Sequence, residues 1–164
     1  LEAQPRSSLL FMVTAGGGKL VQTGFDEAQE LHYVFHVGRP SQLLSAPAMA
    51  ALFLTKLADA TGEESFRDAA RSYVALTESC PDRSTSIRSG LLGWAAAELY
   101  AASGVQGYRE TATAVADGLL EQQLENGSWL QASMSADLES DVVDGTAENV
   151  IVLKSIVKAL VLGA

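Results

Sequence analysis

Apolar residues recur at helical spacing through much of this chain, and they do so in two distinct ways. Phe66, Ala69, Ala70, Tyr73 and Leu76 form one stripe, as do Tyr108, Ala112, Val115 and Leu119, with Arg67, Asp68, Arg71, Arg109, Glu110 and Asp117 on the opposite face. Residues 48–57, 91–101 and 150–162 are instead apolar almost all round, which predicts helices buried on most sides. The pattern therefore alternates inner and outer helices. The class is all-α.

A repeat sharpens this reading. Leu57, Thr61-Gly62, Phe66-Arg67-Asp68 and Ala70 recur as Leu99, Ser103-Gly104, Tyr108-Arg109-Glu110 and Ala112, at an offset of about 42 residues. Units of this length are supersecondary pieces that bury their faces only by stacking. Each reads as a helical hairpin. The first helices run over 47–60 and 87–102, Gly62 and Gly104 supply the left-handed residue that ends them, and the second helices start near Phe66 and Tyr108. A further helix is predicted over 25–37, and Glu148 falls in the first turn of the last inner helix, giving about three hairpins by this hairpin count. A HEAT-like superhelical scaffold would show the same pattern.

The remaining segments read as connectors within a single helical-hairpin domain, 1–164. Residues 1–24 form an N-terminal extension in which 9–13 and 19–23, flanking Ala15-Gly16-Gly17-Gly18, could make a small β-hairpin; 25–164 form the helical core. The acidic stretch 131–145 reads as a loop.

Composition narrows the partners. Hydrophobic content of 48% against 19% charge excludes a disordered chain. A net charge of −9 would repel nucleic acid and anionic membrane. The apolar run 150–162 carries Lys154 and Lys158 and is too short to span a bilayer. Cys80 is the only cysteine, so no disulfide framework or cysteine metal cluster is expected, which fits a cytoplasmic location. No basic region followed by an apolar run marks a signal peptide, and the absence of an initiator Met fits a trimmed chain or a piece of a longer one.

One segment narrows the architecture. Gln123-Leu124-Glu125-Asn126-Gly127-Ser128-Trp129 closes the second outer helix. Gln123 can bond helix-end groups and stack on an indole, Gly127 permits positive φ, and Trp129 can pack over the helix terminus. The segment resembles the QW motif of α/α-toroid proteins such as the triterpene cyclases and, more loosely, the six-hairpin carbohydrate enzymes. The resemblance implies a partial α/α toroid in which Gln123, Gly127 and Trp129 are structural. Because a closed toroid has about twice as many hairpins, it also implies either half a toroid or one that closes by pairing with another chain. The Asp-x-Asp-Asp acid motif of squalene–hopene-type cyclases is absent, and Asp137-Leu138-Glu139-Ser140-Asp141 does not match it.

Candidate chemistry falls into three groups. His32 and His36, four apart, would share a helix face with Tyr33 and Arg39 nearby; His36 is the candidate general acid/base, and Tyr33 and Arg39 are candidate substrate contacts. No H-E-x-x-H signature or third ligand supports a metal. At the entry of an inner helix, beside Arg83 and Ser89, Arg88 could hold a carboxylate or carbonyl, and Trp94 could offer an aromatic wall. Asp144 and Glu148 could pair as acid and base, with Glu148 the candidate catalytic residue and Gly145-Thr146 an ordinary helix cap.

No phosphate loop or nucleophile elbow is present, and no cofactor is expected. With the resemblance, these groups suggest a cyclase, isomerase or lyase acting on a hydrophobic isoprenoid or polyketide small molecule in an apolar cavity. A carbohydrate-active α/α enzyme and a non-catalytic helical-repeat module that binds protein are the alternatives.

Overall fold

The computed structural model describes residues 8–11, 14, 18–26, 30, 32–129 and 142–162. Two short strands, β1 (Ser8–Leu10) and β2 (Val34–His36), pair antiparallel with Leu9 opposite Phe35. Five α-helices follow among the described residues: α1 (Ser45–Thr61), α2 (Glu64–Ala75), α3 (Gly90–Ser103), α4 (Gln106–Glu121) and α5 (Val142–Leu162).

The hairpins form as the repeat predicts. Gly62 and Gly104 take φ of 75° and 69°, and their N–H groups return to Ala58 and Tyr100 at 2.8 and 2.7 Å, the left-handed stop that glycine makes at little cost. With one further residue the chain turns back, so α1/α2 and α3/α4 are antiparallel pairs. Each outer helix buries its stripe against the inner ones: Ala70 and Val74 pack with Ala48, Ala51, Leu92, Ala95 and Leu99, while Ala112, Val115 and Leu119 pack with Ala96, Ala97, Val152 and Ile156.

The inner helices α1, α3 and α5 lie side by side. A Cβ on Gly90 would meet Val152, and one on Gly93, a turn later, would meet Ile156, a turn further along α5. Contacts that advance together in both helices mean that α3 and α5 run parallel. Small residues permit the approach, since a Gly93 Cβ would come within 2.7 Å of Val115 and 2.9 Å of Ile156.

Several expectations are corrected. The second β strand comes from 34–36 and not from 19–23. That removes the helix predicted over 25–37, because Val34-Phe35 favour an extended backbone and Gly38 turns with φ of 82°. His32 and His36 therefore do not share a helix face. Among the described residues, two complete hairpins and one further inner helix stand where about three hairpins were expected. Helix α5 begins at Val142, so Gly145 and Thr146 lie inside it, and Glu148 is exposed two turns from its start. The expected acidic connector otherwise lies outside the described residues. Only α3 is buried on most sides, because α1 exposes Met49 and Phe53, and α5 exposes Val150, Ile151, Val157 and Val161.

Candidate functional site

The segment after α4 is a brace, with its parts distributed differently from the sequence expectation. Trp129 is 2% exposed, and its indole N–H donates to the Leu119 carbonyl at 2.7 Å, joining the Gln122 backbone N–H at 3.1 Å as a second donor to this helix-end acceptor. Its backbone N–H donates to Thr146 Oγ1 at 3.0 Å, which ties the turn to α5. Gly127 has φ of 84° as anticipated. The Gln123 amide donates to the Gly127 carbonyl at 2.8 Å and holds the turn. Gln122 reaches across instead, donating to Thr85 and Gly118 carbonyls at 2.9 and 2.7 Å, and so pins the α2–α3 loop to α4. At Gly118 a Cβ would overlap the Ser84 carbonyl oxygen, so that loop lies directly on the helix.

On the exposed side of the inner-helix row lies a groove of about 460 Å³, lined by Lys56 of α1, Trp94, Glu98 and Ala101 of α3, and Ser155, Lys158 and Ala159 of α5. Trp94 and Glu98 are four apart and lie one turn above each other. The Trp94 indole N–H donates to Glu98 Oε1 at 3.0 Å, and Lys56 Nζ meets Glu98 Oε2 at 2.7 Å. One carboxylate thus fixes both the ring and the neighbouring ammonium. Glu98 is largely buried, so this pair is less screened than an open surface one. Ser155 and Lys158 lie on the same face of α5 at helical spacing, with Lys158 free of any ion pair among the described residues. The arrangement offers a half-buried indole face between two ammonium groups and a hydroxyl.

Trp94 is the predicted site residue that this groove takes up. Arg88 sits in the 3-10 turn Ile87–Ser89, its backbone N–H bonded to Ser86 Oγ at 3.2 Å, and does not line the groove. Glu148 shares the groove face of α5 by spacing but stands two turns before Ser155. His36, Tyr33 and Arg39 belong to the N-terminal sheet, whose core of Leu9, Phe35, Leu44 and Cys80 rests on Tyr73 and Leu76 at the end of α2.

There His36 Nε2 lies 3.0 Å from Glu30 Oε1, and the His36 backbone N–H donates to Gln42 Oε1 at 2.7 Å. Tyr33 stacks on Phe25 with centroids 4.9 Å apart, and Arg39 is exposed. These contacts make the three parts of a local structure, separate from the lining of the groove. Burial pushes the Cys80 thiol above its ordinary pKa, which suits a packed core residue and not a nucleophile.

The sequence reading missed Lys56, Glu98, Ser155 and Lys158. The sequence marks them only as polar residues on largely apolar helices, with Lys56 and Glu98 at equivalent points of the repeat, and does not show that their faces meet. Among the described residues no cluster of His, Cys, Asp or Glu could hold a metal, and no helix is long and apolar enough to cross a membrane.

Fold and groove together define an all-α stack of helical hairpins with a tryptophan-walled groove of mixed apolar and charged lining across its inner helices. No family profile, curated protein sequence or solved structure matches the chain.

Proposed function

We propose that the groove across α1, α3 and α5 binds a small molecule, and that the chain is an enzyme-like α/α unit of the cyclase, isomerase or lyase kind acting on an isoprenoid or polyketide intermediate. The observation that carries this is Trp94, clamped by Glu98 and set between Lys56 and Lys158. A fixed indole face accepts an apolar or conjugated surface and can stabilise a developing cation. Lys158 supplies charge for an anionic group such as a diphosphate, carboxylate or enolate. These charges shift the expected ligand from a wholly hydrophobic molecule to an amphipathic anion. Catalysis would rest on positioning, with Lys158 and Ser155 as the polar groups within reach.

A carbohydrate-active reading has less support at this groove. Hydrolysis of that kind uses two opposed carboxylates, whereas Glu98 is the one carboxylate in the lining and is already paired. Fluorescence titration separates the two. Geranyl diphosphate should quench tryptophan emission saturably in the wild-type chain and at least ten-fold more weakly in Lys158→Ala, while glucuronate should give no saturable change. The reverse order of the two probes, or no response to either, would discard the proposal.

A further inference from the structure

The brace after α4 holds one of the chain's two asparagines, and the residue that follows it is glycine. Asn126 and Gly127 are both exposed, and Gly127 has no side chain to hinder approach to its backbone nitrogen. The Asn126 amide is held in one orientation. The Ser128 backbone N–H and hydroxyl both donate to Asn126 Oδ1, at 3.1 and 2.7 Å. A backbone N–H can only donate, so it is the oxygen that faces Ser128, and Nδ2 takes no part in either bond. Two donors on Oδ1 draw electron density from Cγ. They also stand where negative charge collects when a nucleophile adds to that carbon.

The nucleophile at hand is the Gly127 nitrogen, next along the chain. Its N–H donates to the Leu124 carbonyl at 2.8 Å, so that bond must open first. It is a single turn bond at an exposed surface, and bonds of that kind open locally at little cost. The other asparagine is placed differently. Asn149 is 6% exposed inside α5, and β-branched Val150 follows it within the same helix.

We propose that Asn126 deamidates spontaneously in the folded chain by closing on the Gly127 nitrogen, and that the isoaspartate so formed loosens the brace. Asparagine is among the heat-labile residues for this reason. The nitrogen gives up its proton and bonds to Cγ, the Cγ–Nδ2 bond breaks, and Nδ2 leaves as ammonia with that proton. One water then opens the five-membered imide. Opening at Cγ gives aspartate. Opening at the Asn126 backbone carbonyl gives isoaspartate, with the main chain rerouted through Cβ and Cγ. Either product adds one negative charge to a chain already at −9. Isoaspartate also lengthens a turn that the Leu124 N–H closes on the Ser128 carbonyl at 2.8 Å and the Gln123 amide closes on Gly127 at 2.8 Å, so neither closure keeps its register.

The test incubates the full chain near pH 8, folded and in parallel in denaturant, and follows the digested peptides by mass spectrometry. Asn126 in the folded chain should convert within about ten-fold of its rate in the denatured chain, as expected of a turn that opens freely. Its peptide should resolve into aspartate and isoaspartate forms, while Asn149 in the folded chain stays intact. The aged chain should melt below Asn126→Asp, which carries the same added charge on an unaltered backbone. Protection of Asn126 by folding beyond that margin would overturn the proposal. So would an aged chain that melts together with Asn126→Asp.

Discussion

Adding one methyl group at Gly93 tests the stacking of three helices at once. A Cβ there would lie 2.7 Å from Val115 Cγ1, 2.9 Å from Val115 Cβ and 2.9 Å from Ile156 Cδ1. The isoleucine methyl can swing away, but Val115 is β-branched within a helix and has essentially one rotamer. Either α4 or α3 must therefore shift. Replacing a mid-helix glycine by alanine gains about 1 kcal/mol of helix propensity. Overpacking a tight core costs about 1–3 kcal/mol, and two contacts on a stiff valine place this site at the upper end.

Gly93→Ala should then lose about 2 kcal/mol net, a fall of roughly 4–8 °C in Tm for a chain of this size. Gly107→Ala is the internal control. It is also helical, but a Cβ there meets no heavy atom within 4 Å, so the propensity term stands alone and Tm should rise. Thermal unfolding followed by far-UV circular dichroism reads both. A Gly93→Ala chain as stable as wild type, beside a stabilised Gly107→Ala, would mean that α3 does not meet α4 and α5 as described.

Other expectations follow from the brace and the core. Trp129→Phe keeps an aromatic ring but removes one of the two donors to the Leu119 carbonyl, leaving the Gln122 N–H at 3.1 Å, so it should cost about 0.5–1.5 kcal/mol by chemical denaturation. Gln123→Ala, at an exposed turn, should change stability by less than about 0.5 kcal/mol. Equal losses in the two would refute the division of labour within the motif. Cys80 should resist thiol reagents in the folded chain near pH 8 and react at once in denaturant; rapid labelling of the native protein would contradict its burial. Because its thiol pKa is raised on folding, its contribution is fully present below the unfolded thiol pKa and is lost as pH rises through the folded one.

Much of the fold was legible because inner and outer helices differ in pattern and the repeat aligns them. Gly62 and Gly104 fixed the turns by the same left-handed geometry in both copies. The N-terminal part was misread where the competing signals were short. Residues 32–37 fit a helical spacing of histidines, but Val34 and Phe35 gain more from pairing with β1 and from burial, Phe35 against Leu44 and Cys80 and Val34 against Leu20. Trp94 was recognisable as an aromatic at an inner-helix face. Its partner Glu98 and the flanking lysines were not, since an ion pair between α1 and α3 depends on which faces meet, and the linear sequence does not show that. Histidine chemistry drew attention to His36, whose contacts instead serve a local turn.

The two indole N–H groups allow the most direct test of the groove. Trp94 donates to Glu98 within the groove, and Trp129 donates to Leu119 in the core. In a proton–nitrogen correlation spectrum each gives one side-chain signal, assigned by substituting Trp94 with Phe. Titration with geranyl diphosphate should move the Trp94 signal saturably and leave the Trp129 signal in place. A Trp94 signal that stays fixed while the probe binds, or a shift confined to Trp129, would contradict the groove as the ligand site.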